Sequence, residues 1–174
     1  LAHPNIKESQ ANKALVDAVS DMEGVAVFNL YELSQEITFN IDEWSKIISD
    51  ASAVIYQFPF YWMSAPSLLK KWQDEVFTFL SKTPAVAGKP LTVVTTTGSE
   101  YEAYRSGGRN RFTTDELLRP YQVSAIHSGM SWQTPIVVYG MGTADAGKNI
   151  AEGANLYKQR VEMLIGNSNA GNNW

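Results

Sequence analysis

The run Gln57-Phe58-Pro59-Phe60-Tyr61-Trp62-Met63-Ser64-Ala65-Pro66 places four aromatics and two prolines between an apolar segment, Ala53–Tyr56, and an amphipathic stretch opening at Ser67. A short polar turn would suffice to join a strand to a helix. Open α/β sheets bind ligands at the carboxyl ends of their strands, so rings at this position are expected to meet a flat, conjugated ligand. The run shows neither helical nor strand period, and its prolines enforce an irregular path whose amides can reach the polar edge of such a ring system. A flavin is the first candidate for Pro59, Phe60, Tyr61, Trp62 and Met63. Core packing and an oligomer interface, both rich in aromatics, are the alternatives.

Two further segments carry groups suited to a ligand. His3-Pro4-Asn5, followed by Ser9 and Asn12, leads into a helix whose free N–H groups and dipole favour an anion. Ser9, Asn12 and His3 add side-chain donors, and a phosphate fits; a plain helix cap at Ser9 and a strand end at His3 are the other reading. Thr96-Thr97-Gly98-Ser99 offers hydroxyls and a glycine that lets a backbone approach closely. Tyr104 lies in the long loop that follows, although an ordinary strand-to-loop turn explains this segment equally well. Arg105, Arg109 and Arg111 either meet a cofactor phosphate or form an exposed basic loop.

Two stretches imitate phosphate motifs and fail. Gly142-Thr143-Ala144-Asp145-Ala146-Gly147-Lys148-Asn149 has Asn149 where a Ser or Thr would hold magnesium, and Asp145 inside the cradle. Gly140-Met141-Gly142 lacks the third glycine of a dinucleotide fingerprint.

The elements that must position these residues alternate. Apolar positions at Ala11, Ala14, Leu15, Ala18, Val19 and Met22 predict a helix over Glu8–Met22, starting near Ser9 and stopping at Gly24. Strands are expected at Val25–Phe28, Ala53–Tyr56, Leu91–Thr96 and Pro135–Tyr139. Leu1–Pro4 reads as the end of a strand whose beginning lies outside this sequence. Helices are expected from Asp42 as cap to Ile48, over residues 67–80, from Thr114 as cap with Pro120 near its end, and over Ala144–Leu164. This is the pattern of a doubly wound, five-stranded parallel sheet in the flavodoxin-like order 2-1-3-4-5. Residues 1–165 form one domain and 166–174 a polar tail, expected to be disordered apart from its Trp.

Composition excludes several classes. The 174 residues carry a formal net charge of −4, no cysteine and two histidines. Nucleic-acid binding, disulfides, thiol catalysis and a multi-histidine metal site are therefore not expected. No stretch is long and apolar enough to span a membrane and no signal peptide is visible, so a cytoplasmic location is expected.

The ordered set His3-Pro4, Glu8-Ser9, Ala11–Leu15, Leu30-Tyr31-Glu32, Gln57–Trp62, Leu69–Trp72, Thr96-Thr97-Gly98, Tyr104, Leu118-Arg119-Pro120, Gly129-Met130 and Val138-Tyr139-Gly140 spans nearly the whole chain. Together these residues resemble the flavodoxin-like NAD(P)H:quinone oxidoreductases, a family that includes potassium-efflux ancillary oxidoreductases, general stress proteins and larger mammalian quinone reductases. The resemblance implies a homodimer holding FMN, or FAD in longer members. It assigns His3, Ser9 and Asn12 to the flavin phosphate and Pro59–Met63 to the isoalloxazine ring. It further assigns Thr97 and Gly98 to a second flavin loop and Tyr104 to the substrate face. It implies hydride transfer from NADPH or NADH through flavin N5 to a quinone-like acceptor, or service as a regulatory flavoprotein subunit of a potassium-efflux transporter. A small electron carrier of the flavodoxin kind is a third class, disfavoured by the mild charge. Two departures stand out: the loop Gly107–Arg111 lacks the histidine that assists proton transfer in larger members, and Thr78–Pro84 departs from the usual glycine- and aromatic-containing stretch.

Overall fold

A computed structural model describes residues 1–33 and 38–169. At its centre β2 (Pro90–Thr96) is buried along its whole length. Its alternate residues point to opposite faces, as strand geometry demands, so Leu91 and Val93 enter one apolar cluster and Val94 the other. On one edge β2 pairs in parallel with β1 (Val54–Pro59). On the other it pairs in parallel with two short strands in succession, β3 (Ser131–Trp132) against Pro90-Leu91 and β4 (Ile136–Val138) against Val94–Thr96.

Among the described residues the sheet has four strands: three of the five expected, together with the unexpected pair Ser131–Trp132, so the order 2-1-3-4-5 is met only in outline. Val25–Phe28 and Leu1–His3 run as extended chain, not as strands. Leu1 N donates to Phe28 O at 2.9 Å, Leu30 N to Leu1 O at 2.9 Å, and Ala2 N to Gln57 O at 2.8 Å. Those three bonds lay the two segments beside β1 in the expected sequence, yet they are too few for a ladder. A cleft of ≈ 520 Å³ opens here, walled by Val25–Phe28 and Val54–Gln57 among others.

Helices cover both faces. On one side α1 (Gln10–Asp17), the turn after it and α8 (Ala146–Asn169) bury Leu15, Val19, Tyr157, Val161 and Leu164 against Val94, Ile136 and Val138. On the other lie α2 (Leu30–Leu33), α3 (Ile41–Asp50), α4 (Ser67–Trp72), α5 (Thr78–Leu80), α6 (Thr114–Leu117) and α7 (Arg119–His127). This second core is aromatic: Trp44 meets Trp72 edge-on at 5.2 Å, Tyr56 meets Trp72 at 5.9 Å, and Phe58 lies 5.3 Å from Tyr121.

Several boundaries differ from the sequence expectation for local reasons. Asn40, not Asp42, caps α3, its side-chain oxygen accepting from the N–H groups of Asp42 and Glu43. Thr113, not Thr114, caps α6 through a reciprocal box with Glu116. Pro120 opens α7 rather than closing α6, because its missing N–H costs nothing in a first turn. Residues 67–80 are helical as expected, with a π turn at Gln73–Phe77 between α4 and α5. The last helix passes Gly166 to Asn169 instead of ending at Leu164; residues 170–174 of the predicted tail lie outside the described residues.

The α8–β4 contact depends on a missing side chain. A β-carbon at Gly153 would lie 2.4 Å from Val138 Cγ2, whereas one at Gly147 in the same helix would meet nothing within 4 Å. Helix propensity favours alanine over glycine by up to about 1 kcal/mol at both positions, but overpacking costs about 1–3 kcal/mol. Gly147→Ala is expected to raise stability in urea unfolding and Gly153→Ala to lower it; equal gains at both would mean that α8 rides clear of the sheet.

Candidate functional site

The carboxyl ends of β1, β2 and β4 converge with the loop entering α1. At the end of β1 the chain departs from the expected irregular run: Gln57, Phe58 and Pro59 still belong to the strand, paired with Val94, Thr95 and Thr96. Pro59 stands last, where its lack of an N–H is tolerated, and the Phe60 N–H still reaches Thr96 O at 2.9 Å. Beyond it Tyr61 and Ser64 exchange two backbone hydrogen bonds, 2.8 and 3.0 Å, and close a two-residue turn. Its central residues, Trp62 and Met63, have φ of 48° and 64°. This is the left-handed region that glycine or asparagine usually supplies, and each bulky residue placed there costs about 1–2 kcal/mol. Trp62 is 97% exposed, so no burial of its ring offsets that cost.

The strained tip is held from below. Tyr121 of α7, buried against Phe58, accepts from the Ala65 N–H at 3.1 Å and shares a hydrogen bond with Ser64 Oγ at 3.3 Å. The amides of Trp62 and Met63 meet no protein acceptor among the described residues. Two adjacent donors are thus held open to a ligand at some conformational cost, and such strain persists where surroundings over-determine it.

Beside the hairpin the aromatics continue. Phe60 lies 6.1 Å edge-on from the buried Tyr104, which is 5.9 Å from Tyr139; Tyr101 meets Tyr139 at 5.4 Å. Burial raises the Tyr104 phenol above its ordinary value, against the opposing hydrogen bond of Thr97 and charge of Arg109. Burial likewise raises Tyr139, whose hydroxyl hydrogen-bonds Thr114 Oγ1 at 2.6 Å. Both are neutral phenols at physiological pH, able to donate a hydrogen bond.

The loop after β2 is tied to the loop after β4. Thr97 N donates to Val138 O, and Gly140, Met141 and Gly142 donate to the carbonyls of Ser99, Thr97 and Gly98, each at 2.9 Å. Thr97 Oγ1 turns inward to Ser99 O. Gly98 faces open space, where an added β-carbon would touch nothing. Gly140 and Gly142 spend their N–H groups on this junction, and Asn149 Nδ2 on Tyr139 O. The sequence that imitates a phosphate loop is in fact the fastening of α8.

At the α1 end, Ser9 caps the helix, its Oγ accepting from Asn12 N at 3.1 Å. The N–H groups of Gln10 and Ala11 have no protein acceptor among the described residues. His3 is buried and its Nδ1 accepts from Asn5 N at 3.1 Å, leaving Nε2 as its donor; burial lowers its pKa. Asn12 turns inward: Nδ2 donates to Thr96 Oγ1 at 3.0 Å, its carbonyl accepts from Gln57 Nε2 at 2.8 Å, and Oδ1 is buried without a partner.

The candidate surface is a shelf at the strand ends on which Tyr61, Trp62, Met63 and Tyr101 are exposed. Its donor set suits a flavin: unpaired amides at a helix start for a phosphate, unpaired amides on the hairpin for a heterocycle edge, and aromatic rings beside the hairpin. Tyr139 ends a predicted strand and Tyr121 lies on the apolar side of a predicted helix, but neither has a site role in the sequence reading. Tyr139 had a signal, since it ends the last apolar run; the role of Tyr121 depends on a contact across 56 residues.

A family model described as a flavodoxin-like fold matches residues 1–161. General stress protein 14 of Bacillus subtilis (strain 168) is 34% identical over 165 residues, 92% of this chain and 94% of the relative. An uncharacterized NAD(P)H oxidoreductase of the same organism, YdeQ, is 34% identical over 168 residues, 94% and 85%. The glutathione-regulated potassium-efflux system ancillary protein KefG of Serratia proteamaculans is 36% identical over 142 residues, 79% and 78%. Among solved structures, general stress protein 14 of Treponema denticola in complex with FMN superposes with a TM-score of 0.84 at 29% identity, covering 94% and 95%. A chain described as a thermophilic tryptophan halogenase from Streptomycin violaceusniger gives 0.85 at 34%, covering 92% and 95%. An NADPH-quinone reductase of P. pentosaceus gives 0.76 at 26%, covering 90% and 94%.

Thr96→Val keeps the shape of the side chain but leaves the Asn12 amide with neither partner. Unfolding in urea is expected to show a loss of about 1–3 kcal/mol; an unchanged midpoint would mean the bond contributes nothing. For His3 the folded pKa lies below the usual 6.5, so as pH falls the unfolded chain takes up the proton first. Stability is expected to be full above pH 6.5, to decline below it, and to level off once the folded imidazole is also protonated. The decline should be reduced in His3→Asn, and an identical pH profile would remove His3 as its source.

Proposed function

The chain belongs to the family of flavodoxin-like fold, and from that premise we propose that it is a flavin-dependent oxidoreductase. It takes FMN, is reduced by NADPH or NADH, and reduces an aromatic acceptor of the quinone kind. The observation that carries this reading is the hairpin Tyr61–Ser64, where two bulky residues are held at positive φ with their amides unpaired beside an aromatic cluster. The FMN-bound general stress protein and the oxidoreductase and quinone reductase relatives support it.

In this reading the N–H groups of Gln10 and Ala11, with Ser9 at the cap and the Nε2 of His3, hold the flavin phosphate. Asn12 acts from behind, fixing the α1 start against Gln57 and Thr96. Pro59 and Phe60 form the floor, Tyr61, Trp62 and Met63 bound one side, and Thr97 and Gly98 the other. Bound there, a flavin would supply two-electron redox chemistry between the nicotinamide and the acceptor. The protein binds and orients. Tyr104 faces the substrate as a neutral donor, its burial keeping the proton on oxygen, in place of the histidine that the following loop lacks.

A homodimer and a cytoplasmic location belong to the same reading. Val123 and Ile126, exposed one turn apart on α7, offer an apolar face for a second copy. A second reading, regulatory subunit of a potassium-efflux transporter, is supported by the KefG relative. No helix among the described residues is long and apolar enough to cross a membrane.

The test is a visible spectrum of the purified protein with added FMN, then with NADPH in the absence of oxygen. Flavin absorption that bleaches on reduction is expected; failure to take up FMN or FAD sinks the proposal. A second readout reports on the phosphate. A nearby dianion favours the imidazolium, so the His3 pKa, low in the free protein, is expected to rise on FMN binding when followed by NMR. A pKa unmoved by bound FMN would place the phosphate elsewhere.

A further inference from the structure

The loop after Tyr104 carries Arg105, Arg109 and Arg111 and no acidic residue between them, in a chain whose net charge is −4. All three are exposed. The ion pairs among the described residues are made by lysines, so none of these guanidiniums is matched to a carboxylate. Glu100 and Glu102 lie in the adjoining turn without bridging to them.

What distinguishes this loop from a solvated basic stretch is how firmly it is built. Gly108 N donates to Arg105 O at 2.8 Å, Asn110 N to Ala103 O at 2.9 Å, and Arg111 N to Gly108 O at 3.1 Å. A β-carbon at Gly108 would lie 2.1 Å from Glu102 O, so only glycine lets the loop fold back so closely. Arg111 is held at φ 62°. The guanidiniums are positioned as well: Arg105 lies 5.2 Å over the Tyr101 ring and donates to its hydroxyl at 3.2 Å, while Arg109 donates to Ser99 Oγ. Ser99 and Tyr101 flank the candidate site, and Arg109 is near enough for its charge to act on the Tyr104 hydroxyl. Stacked and anchored, each still has N–H donors to spare, the arrangement in which arginine recognises phosphate.

We propose that Arg105 and Arg109 form an anion seat for a phosphate group of the dinucleotide reductant, an inference that rests on the flavin-oxidoreductase reading. Two phosphates share this chemistry: the 2′-phosphate, present only in NADPH, and the pyrophosphate, present in NADPH and NADH alike. Either makes the seat a determinant of reductant binding in a protein whose overall charge repels one.

The experiment compares wild type, Arg105→Ala, Arg109→Ala and the double variant, with Lys158→Ala on α8 as a control for net charge. On FMN-loaded protein, kcat/KM is measured with NADPH and with NADH; by calorimetry, binding of 2′,5′-ADP and of ADP is measured on the same proteins. Each arginine removed is expected to weaken binding about tenfold, while Lys158→Ala changes little. A loss larger for NADPH and 2′,5′-ADP identifies the 2′-phosphate; equal losses for both dinucleotides and for ADP identify the pyrophosphate. FMN reduction as efficient in the double variant as in wild type overturns the seat and leaves the flavin reading intact. If the protein takes no flavin, that reading fails, and calorimetry still decides the seat: no arginine-dependent binding of either probe overturns it.

Discussion

One buried asparagine, through its backbone carbonyl and its side chain, joins the parts of this molecule that must keep register. Asn12 is 2% exposed, yet through two atoms it links the start of α1 to both central strands: its carbonyl takes Gln57 of β1 and its Nδ2 reaches Thr96 at the end of β2. Gln57 in turn receives Ala2 from the N-terminal segment. The start of α1, the body of β1 and the end of β2 therefore meet at one hydrogen-bonded node. Hydrogen bonds buried beneath a surface are directional and costly to leave unmade, so this node sets the spacing of three segments that hydrophobic packing alone would leave loosely aligned. The unpartnered Oδ1 of Asn12 shows that the node itself is not fully satisfied.

Around that node stability and site geometry pull in different directions. The strands and the two helical layers are conventionally packed, with β2 wholly buried and close approach bought at Gly153. The shelf above contains the bulky residues at positive φ: Trp62, Met63 and Arg111. Each is braced by a neighbour with no strain of its own, Tyr121 under the hairpin and the Ala103–Asn110 bond behind the basic loop. Conformational cost is concentrated where amides or guanidiniums face outward, and the core below supplies the rigidity that sustains it.

The α/β alternation, the cap at Ser9, the helix over residues 67–80 and the segments that converge at the strand ends were legible in the sequence. Short β-branched runs and helical periodicity arise from local patterns of burial. The aromatic run was legible as an unusual strand exit, though not its form: Gln57–Pro59 continue β1 because β2 offers a partner as far as Thr96. The expected strand at Val25–Phe28 has the right composition, but Leu1 gives it a single hydrogen bond at Phe28 and a second only beyond it, at Leu30. Strand identity is a property of pairs, and composition describes one member.

The sequence by itself determined which residue types stand at the carboxyl ends of the strands: rings at 58–62, hydroxyls at 95–97, arginines at 105–111. It did so because chemical type and secondary-structure period are local properties. Tertiary structure alone decided that Asn12 turns inward, that Tyr121 braces a hairpin far away in sequence, and that Gly140–Gly142 fasten loops. The reason is physical: a hydrogen-bonding group takes whichever partner folding brings within about 3 Å, and that choice is made only when distant segments meet.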